Sequence, residues 1–202
     1  MSPQHPLVAV FADESCLGNG REGENPGGAG VLIEFVTDKR KLVRRDLWVS
    51  EPATTNNRMA LRSVIEAFRA LGAKRQKFRV VFTTDSRYIV DGMTDWVHGW
   101  AERGWKRKTG AIENLELWHE AIDEAAPHAV EWRWVRGHDG HAQNEYANDL
   151  AVGAAERQDS SNGIVASGFT EWRKVNEATA ARLEPFPHAH DFRASRALPL
   201  SS

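Results

Sequence analysis

The sequence predicts a mixed α/β fold built on one central sheet, and three observations carry that expectation. Leu7–Ala12 (LVAVFA) is a run of six small or branched apolar residues, too short for a buried helix and suited to a strand covered on both faces. Phe78–Thr84 (FRVVFTT) is a second run of the same kind. Around them, patterns of period two and of helical period follow in the order three strands, helix, strand, helices, strand, helix.

The bulk properties narrow the function classes. At 202 residues, with 41% hydrophobic and 27% charged residues, the chain is globular in composition. We expect a main domain over 1–157 and a C-terminal extension over 158–202, partly helical or disordered and mostly exposed. No apolar run has the length of a membrane span, and MSPQHPLVAV lacks the basic flank of a signal peptide, so a cytoplasmic protein without a membrane partner is expected. The single cysteine, Cys16, excludes an internal disulfide and a cysteine-built zinc site. Any metal must then be held by oxygen or histidine. A net charge of −2 does not mark the whole surface for nucleic acid, so a basic patch has to be local.

In chain order, the first strand ends in Asp13 and Glu14, and the Phe78–Thr84 strand ends in Asp85. A carboxylate at the mouth of a buried strand is costly to desolvate without a cation or donors to meet it. Two such strands delivering one acid each to the same edge suit a hard divalent ion. The glycine-rich stretch after Asp13, including Gly18, Gly20, Gly23, Gly27, Gly28 and Gly30, has no GK[ST] and reads as a hairpin connection into a strand over Ala29–Phe35. VLIEFVT and LVRRDLWVS continue it as a meander with one wet face.

Thr54 or Thr55 caps a helix in which Leu61, Val64, Ile65, Phe68 and Leu71 recur at helical spacing, with Gly72 closing it. Asn56 and Asn57 fall in its first turn, where capping competes with contact to an anion. After Asp85, Tyr88, Ile89, Met93, Trp96, Val97 and Trp100 mark an amphipathic helical stretch. Arg103, Lys106, Arg107 and Lys108 then surround Trp105, and indoles interleaved with cations suit a sugar-phosphate backbone. A helix over ENLELWHEAIDEAA precedes the strand VEWRWVR, with Val130, Trp132 and Trp134 expected inward. Gly137–Gln143 is a loop, and a helix runs from Asn144 to about Arg157. His138 and His141 are too poorly supported by further ligands for a zinc site.

With these pieces in place, the chain resembles type 1 ribonuclease H, the bacterial enzyme that cuts RNA paired to DNA. The likeness spans roughly Leu7 to Glu156. It rests on FADESCLGN with NPGGAG, TTNNRMAL, TTDSRYIVDGMTDWVHGW, RGWK, NLELW, WRWVRGHDGH and NEYANDLA, in that order. It implies a five-stranded mixed sheet, three antiparallel strands followed by two parallel ones, with helices on both sides. Asp13 and Asp85 match two of the family's metal-binding acids, and His138 matches its proton-moving loop histidine. Cys16, Asn56 and Asn57 match residues of the minor groove, where 2′-hydroxyls mark RNA. Trp96, Trp100, Trp105 and Lys106 match the protruding segment that grips the DNA strand.

Two positions depart from the family: the second acid of its quartet is Ala60 here, and the fourth is Asn148. Asn148 still offers a neutral oxygen, and Mg²⁺ accepts one or two carboxylates plus water. Glu145, on the same helical face as Asn148, and Glu14 are the candidate replacements. Glu14 is expected to point the opposite way along the strand from Asp13, which favours Glu145. Two readings stay open. One is a monomeric endoribonuclease for RNA/DNA hybrids using Mg²⁺ or Mn²⁺ and weakened by the missing acids, with Asp13, Asp85, His138 and Asn148 at its centre; the other is a module that binds hybrids without cutting them.

Overall fold

The computed structural model describes residues 5–18 and 25–201. Gly20 and Gly23 of the glycine-rich stretch lie outside the described residues. Strands β1 (Leu7–Cys16), β2 (Gly27–Val36) and β3 (Leu42–Glu51) form the antiparallel meander. Helix α1 (Asn56–Gly72) follows, its N-cap Thr55 accepting the Arg58 N–H. Strand β4 (Arg79–Thr84) lies parallel to β1, and β5 (Ala129–Trp134) parallel to β4. Between them run α2 (Arg87–Asp91), a π-helical turn over Gly92–Trp96, α3 (Val97–Glu102) and α4 (Leu115–Ala125). Helix α5 (Ala142–Arg157) completes the domain that the sequence outlines.

With β6 (Val165–Ala166), the sheet has six strands among the described residues, in the order β5-β4-β1-β2-β3-β6. Five form the three-antiparallel, two-parallel arrangement; the sixth, β6, comes from the extension and pairs with β3. The strand expected from Ala29 starts at Gly27, so Gly27, Gly28 and Gly30 belong to β2 and not to a connection. The reason is the approach of α5: a Cβ at Gly28 would overlap the Ala151 carbonyl, and one at Gly30 the Ala147 carbonyl. That closeness sets α5 against the end of β1.

The larger core lies on the α1/α4 face, where Phe68, Phe82, Trp118, Ile65 and Ile122 are fully buried. A smaller cluster on the α5 face joins Phe11 and Leu32 to Tyr146 and to Phe169 of α6 (Phe169–Val175). The extension is exposed along much of its length yet tied to both outer strands. On β3, Trp48 and Ser50 N–H groups donate to the Ser161 and Ser160 hydroxyls; on β5, the Ser195 N–H donates to the Val130 carbonyl.

Candidate active site

Parallel pairing of β1 with β4 ends at Ala12 opposite Thr84, so Asp13 and Asp85 are the next residues of neighbouring strands. Nothing in β4 flanks β1 beyond that point, and the space is filled by side chains. Asp13 is only 7% exposed; its Oδ1 accepts the Glu14 N–H (2.7 Å) and its Oδ2 accepts Asn144 Nδ2 (2.9 Å). The Asp85 carbonyl accepts the Trp134 indole N–H at 2.8 Å. Gly137 packs on the Asp85 carboxylate so closely that a Cβ there would overlap Oδ2.

Glu14 does not point away. One oxygen from each of Asp13, Glu14 and Asp85 lies within 4.8 Å of the others, which overturns the expected opposite orientation of Glu14. Because β4 has already ended, the longer Glu14 side chain bends round its terminus toward Ser86, whose hydroxyl it meets. The Glu14 Oε2 atom is nonetheless buried without a hydrogen-bond partner. Glu145 instead faces His138, with 3.7 Å between its Oε2 and Nδ1.

Desolvation raises all three carboxyls above the ordinary range. For Asp13, burial is the largest cause, followed by the charges of Asp85 and Glu14. Glu14 is pushed up to about 8 by burial and then by Asp85. Asp85 is raised by burial and partly relieved by His138. Three acids that each resist ionisation, one with an orphaned buried oxygen, form a donor set that fits a divalent cation, whose charge removes the repulsion.

The remaining candidates are more dispersed. Asn148 is half-buried on α5, one turn beyond Asn144. His138 is 78% exposed and adopts φ 53°. Ala60 is fully buried in the α1 core and offers no ligand. Asn56 opens α1 with a buried, unpartnered Oδ1, Asn57 is exposed, and the Cys16 thiol lies 3.4 Å from the Thr54 carbonyl. Trp96 and Trp100 pack with Tyr88 and Trp118, Trp105 sits edge-on to His119 at 4.4 Å, and Lys106 is exposed. Trp134, expected inward, is 39% exposed, because it covers the Asp85 backbone and lies under the Arg87 guanidinium at 3.8 Å. Asn144 was not among the sequence candidates; its only signal is its place one turn before Asn148.

The sequence model of the RNase H family matches residues 5–156. The chain belongs to the ribonuclease H family. A ribonuclease H of Erythrobacter litoralis is 44% identical over 152 residues, 75% of this chain and 97% of the relative. One of Vibrio cholerae is 42% identical over 150 residues, 74% of this chain and 88% of the relative. The crystal structure of LC9-RNase H1, described as a type 1 RNase H with the type 2 active-site motif, is 69% identical with a TM-score of 0.93. That match covers 99% of this chain and 97% of the other, and so includes the extension. LC11-RNase H1, solved with an RNA/DNA hybrid, shares the fold at 19% identity with a TM-score of 0.51 over 75% of this chain and 98% of the other. The activity of this ribonuclease H is that of its family, divalent-metal-dependent hydrolysis of the RNA strand of RNA/DNA hybrids.

Proposed function

We propose that Asp13, Glu14 and Asp85 hold the divalent metal, Mg²⁺ with Mn²⁺ as a substitute, and that Asn148 adds a neutral oxygen from α5. The observation that carries this is the convergence of three carboxylates within 4.8 Å, with the Glu14 Oε2 atom buried and unpaired. Glu14 supplies from β1 the acid that Ala60 cannot supply from α1. This answers one of the two departures behind the reading of a merely binding module or a weakened enzyme; at the other, Asn148 contributes a neutral oxygen.

A divalent ion held there supplies charge stabilisation for in-line attack of water on the phosphodiester. The protein's own groups set the geometry. Asn144 and the Glu14 N–H fix both oxygens of Asp13 by donating to them. His138, exposed at the rim and backed by Glu145, moves a proton at the departing 3′ oxygen, giving 3′-hydroxyl and 5′-phosphate ends. Cys16, Asn56 and Asn57 face the minor groove, and Trp96, Trp100, Trp105 and Lys106 the DNA strand. The enzyme acts as a cytoplasmic monomer away from membranes; no helix among the described residues is long and apolar enough to cross one.

A labelled hybrid incubated with Mg²⁺ and then Mn²⁺ is expected to be cut in its RNA strand. Glu14→Gln and Asp13→Asn are each expected to abolish cutting, and Glu145→Gln to retain most of it. No cut by the unaltered protein at excess, with either metal, sinks the assignment; an active Glu14→Gln protein removes Glu14 from the ligand set.

A further inference from the structure

The loop bearing His138 is held by the extension. The Ala142 N–H donates to the Arg182 carbonyl (2.9 Å) and the Arg182 N–H to the Gly140 carbonyl (2.9 Å), forming a parallel bridge between His141 and Arg182. Two residues further, Gln143 Nε2 donates to the Glu184 carbonyl (2.7 Å) and the Glu184 N–H to Gln143 Oε1 (3.1 Å). The Glu184 side chain then reaches His141, which is buried.

His141 caps α5: its Nδ1 accepts the Asn144 N–H at 3.3 Å. An accepting Nδ1 leaves the proton of a neutral imidazole on Nε2, 2.8 Å from Glu184 Oε2. Glu184 is itself anchored to the sheet by Arg133 of β5 at 3.3 Å. The chain of contacts ends on Asp13, through Asn144 Nδ2.

We propose that Glu184 is a positioning residue for the metal site, acting through His141 and Asn144 on Asp13. Without its carboxylate, the buried Nε2–H has no acceptor and the ring is free to take the other tautomer, in which Nδ1 carries a proton and cannot cap α5. The first turn of α5 then loosens. Asp13 loses the Asn144 donor, and Glu145 and Asn148 are carried on the same helix. Glu184 lies beyond residues 5–156, the part matched to the family, so this support comes from the extension and not from the shared domain. The inference rests on the assignment of Asp13 as a metal ligand.

The test uses the full chain and four proteins: unaltered, Glu184→Ala, Glu184→Gln and Phe169→Leu. Phe169→Leu loosens the extension where it packs on Tyr146 and Trp172 and leaves the Glu184–His141 contact in place. Mn²⁺ binding is measured by calorimetry without nucleic acid, and kcat and KM on a labelled hybrid. Glu184→Ala is expected to lose about 10-fold or more in Mn²⁺ affinity and in kcat, with KM for hybrid within about twofold. Glu184→Gln, whose side-chain carbonyl still accepts from Nε2–H, is expected to recover to within about threefold of the unaltered protein, and Phe169→Leu to bind Mn²⁺ normally. The proposal is overturned if Glu184→Ala binds and cleaves as the unaltered protein does, or if Phe169→Leu matches its loss. Failure of the unaltered protein to bind Mn²⁺ or cut hybrid is a different result and removes the metal-site assignment itself.

Discussion

The two faces of the sheet are built on different physics. On the α1/α4 face, Phe68 stacks on Phe82 at 5.8 Å, Trp118 is fully buried, and no distance need be exact for burial to be favourable. On the α5 face a smaller apolar cluster around Phe11, Leu32 and Phe169 is set among buried polar residues. Buried Glu34 pairs with Arg44 at 2.6 Å, Tyr146 donates to Asp46 at 2.6 Å, and His141, Gln143 and Asn144 are all buried with partners. Packing gives the first face its stability, whereas directed hydrogen bonds give the second its orientation. The groups that the proposed metal site needs aimed from outside the strands, Asn144, Asn148 and His138, all belong to the second.

That contrast can be broken from either side. The largest effect is expected from Trp118→Ala, which should cost about 3–5 kcal/mol in urea unfolding while kcat of the folded fraction stays near its original value. Gly30→Ala pushes α5 off β2 and should cost about 1–3 kcal/mol, but here kcat should fall as well, because Asn144 moves away from Asp13. Equal behaviour of the two variants in a paired unfolding and cleavage measurement would erase the distinction. Tyr146→Phe takes the hydroxyl donor from Asp46 Oδ2, which keeps the Gly168 N–H, and should cost about 1.5 kcal/mol.

The smallest effect is a slope. Glu14 has a folded-state pKa of about 8 against an ordinary 4.5, so the folded protein keeps a proton that the unfolded chain gives up. Its contribution to stability is whole below about pH 4.5 and is lost as pH rises toward 8. With chelator present, the melting temperature should therefore decline more steeply between pH 5 and pH 8 than it does in Glu14→Gln. Asp13 and Asp85 shift in the same direction, so the variant flattens the decline without removing it. Mg²⁺ should raise the melting temperature more at pH 8 than at pH 5.

The apolar face was legible in the sequence because its signals are local. The runs Leu7–Ala12 and Phe78–Thr84 and the spacing Leu61, Val64, Ile65, Phe68 state their burial directly. The meeting of Asp13 with Asp85 also follows from strand ends. What stayed hidden depends on where a neighbour stops. Alternation along β1 sends Glu14 the wrong way unless the end of β4 at Thr84 is known. Gly28 and Gly30 read as turn residues until α5 is laid over them. Trp134 continues the inward pattern of Val130 and Trp132, but as the last residue of β5 it covers the Asp85 backbone instead of entering the core. The extension offered only a helix-like island near Glu171 to Leu183, since residues such as Glu184 and Ser195 act through hydrogen bonds to distant partners that leave no periodic pattern.

The two flanks of the sheet are both occupied by that extension: Val165–Ala166 with Ser160 and Ser161 along β3, and Arg193 with Ser195 along β5. Unpaired strands invite another molecule's backbone to dock, which is how soluble sheets come to self-associate. A protein shortened after Arg157 would bare Val130, Trp132 and Trp48 on open strands, and its first failure should be oligomers and precipitate rather than an orderly loss of heat resistance.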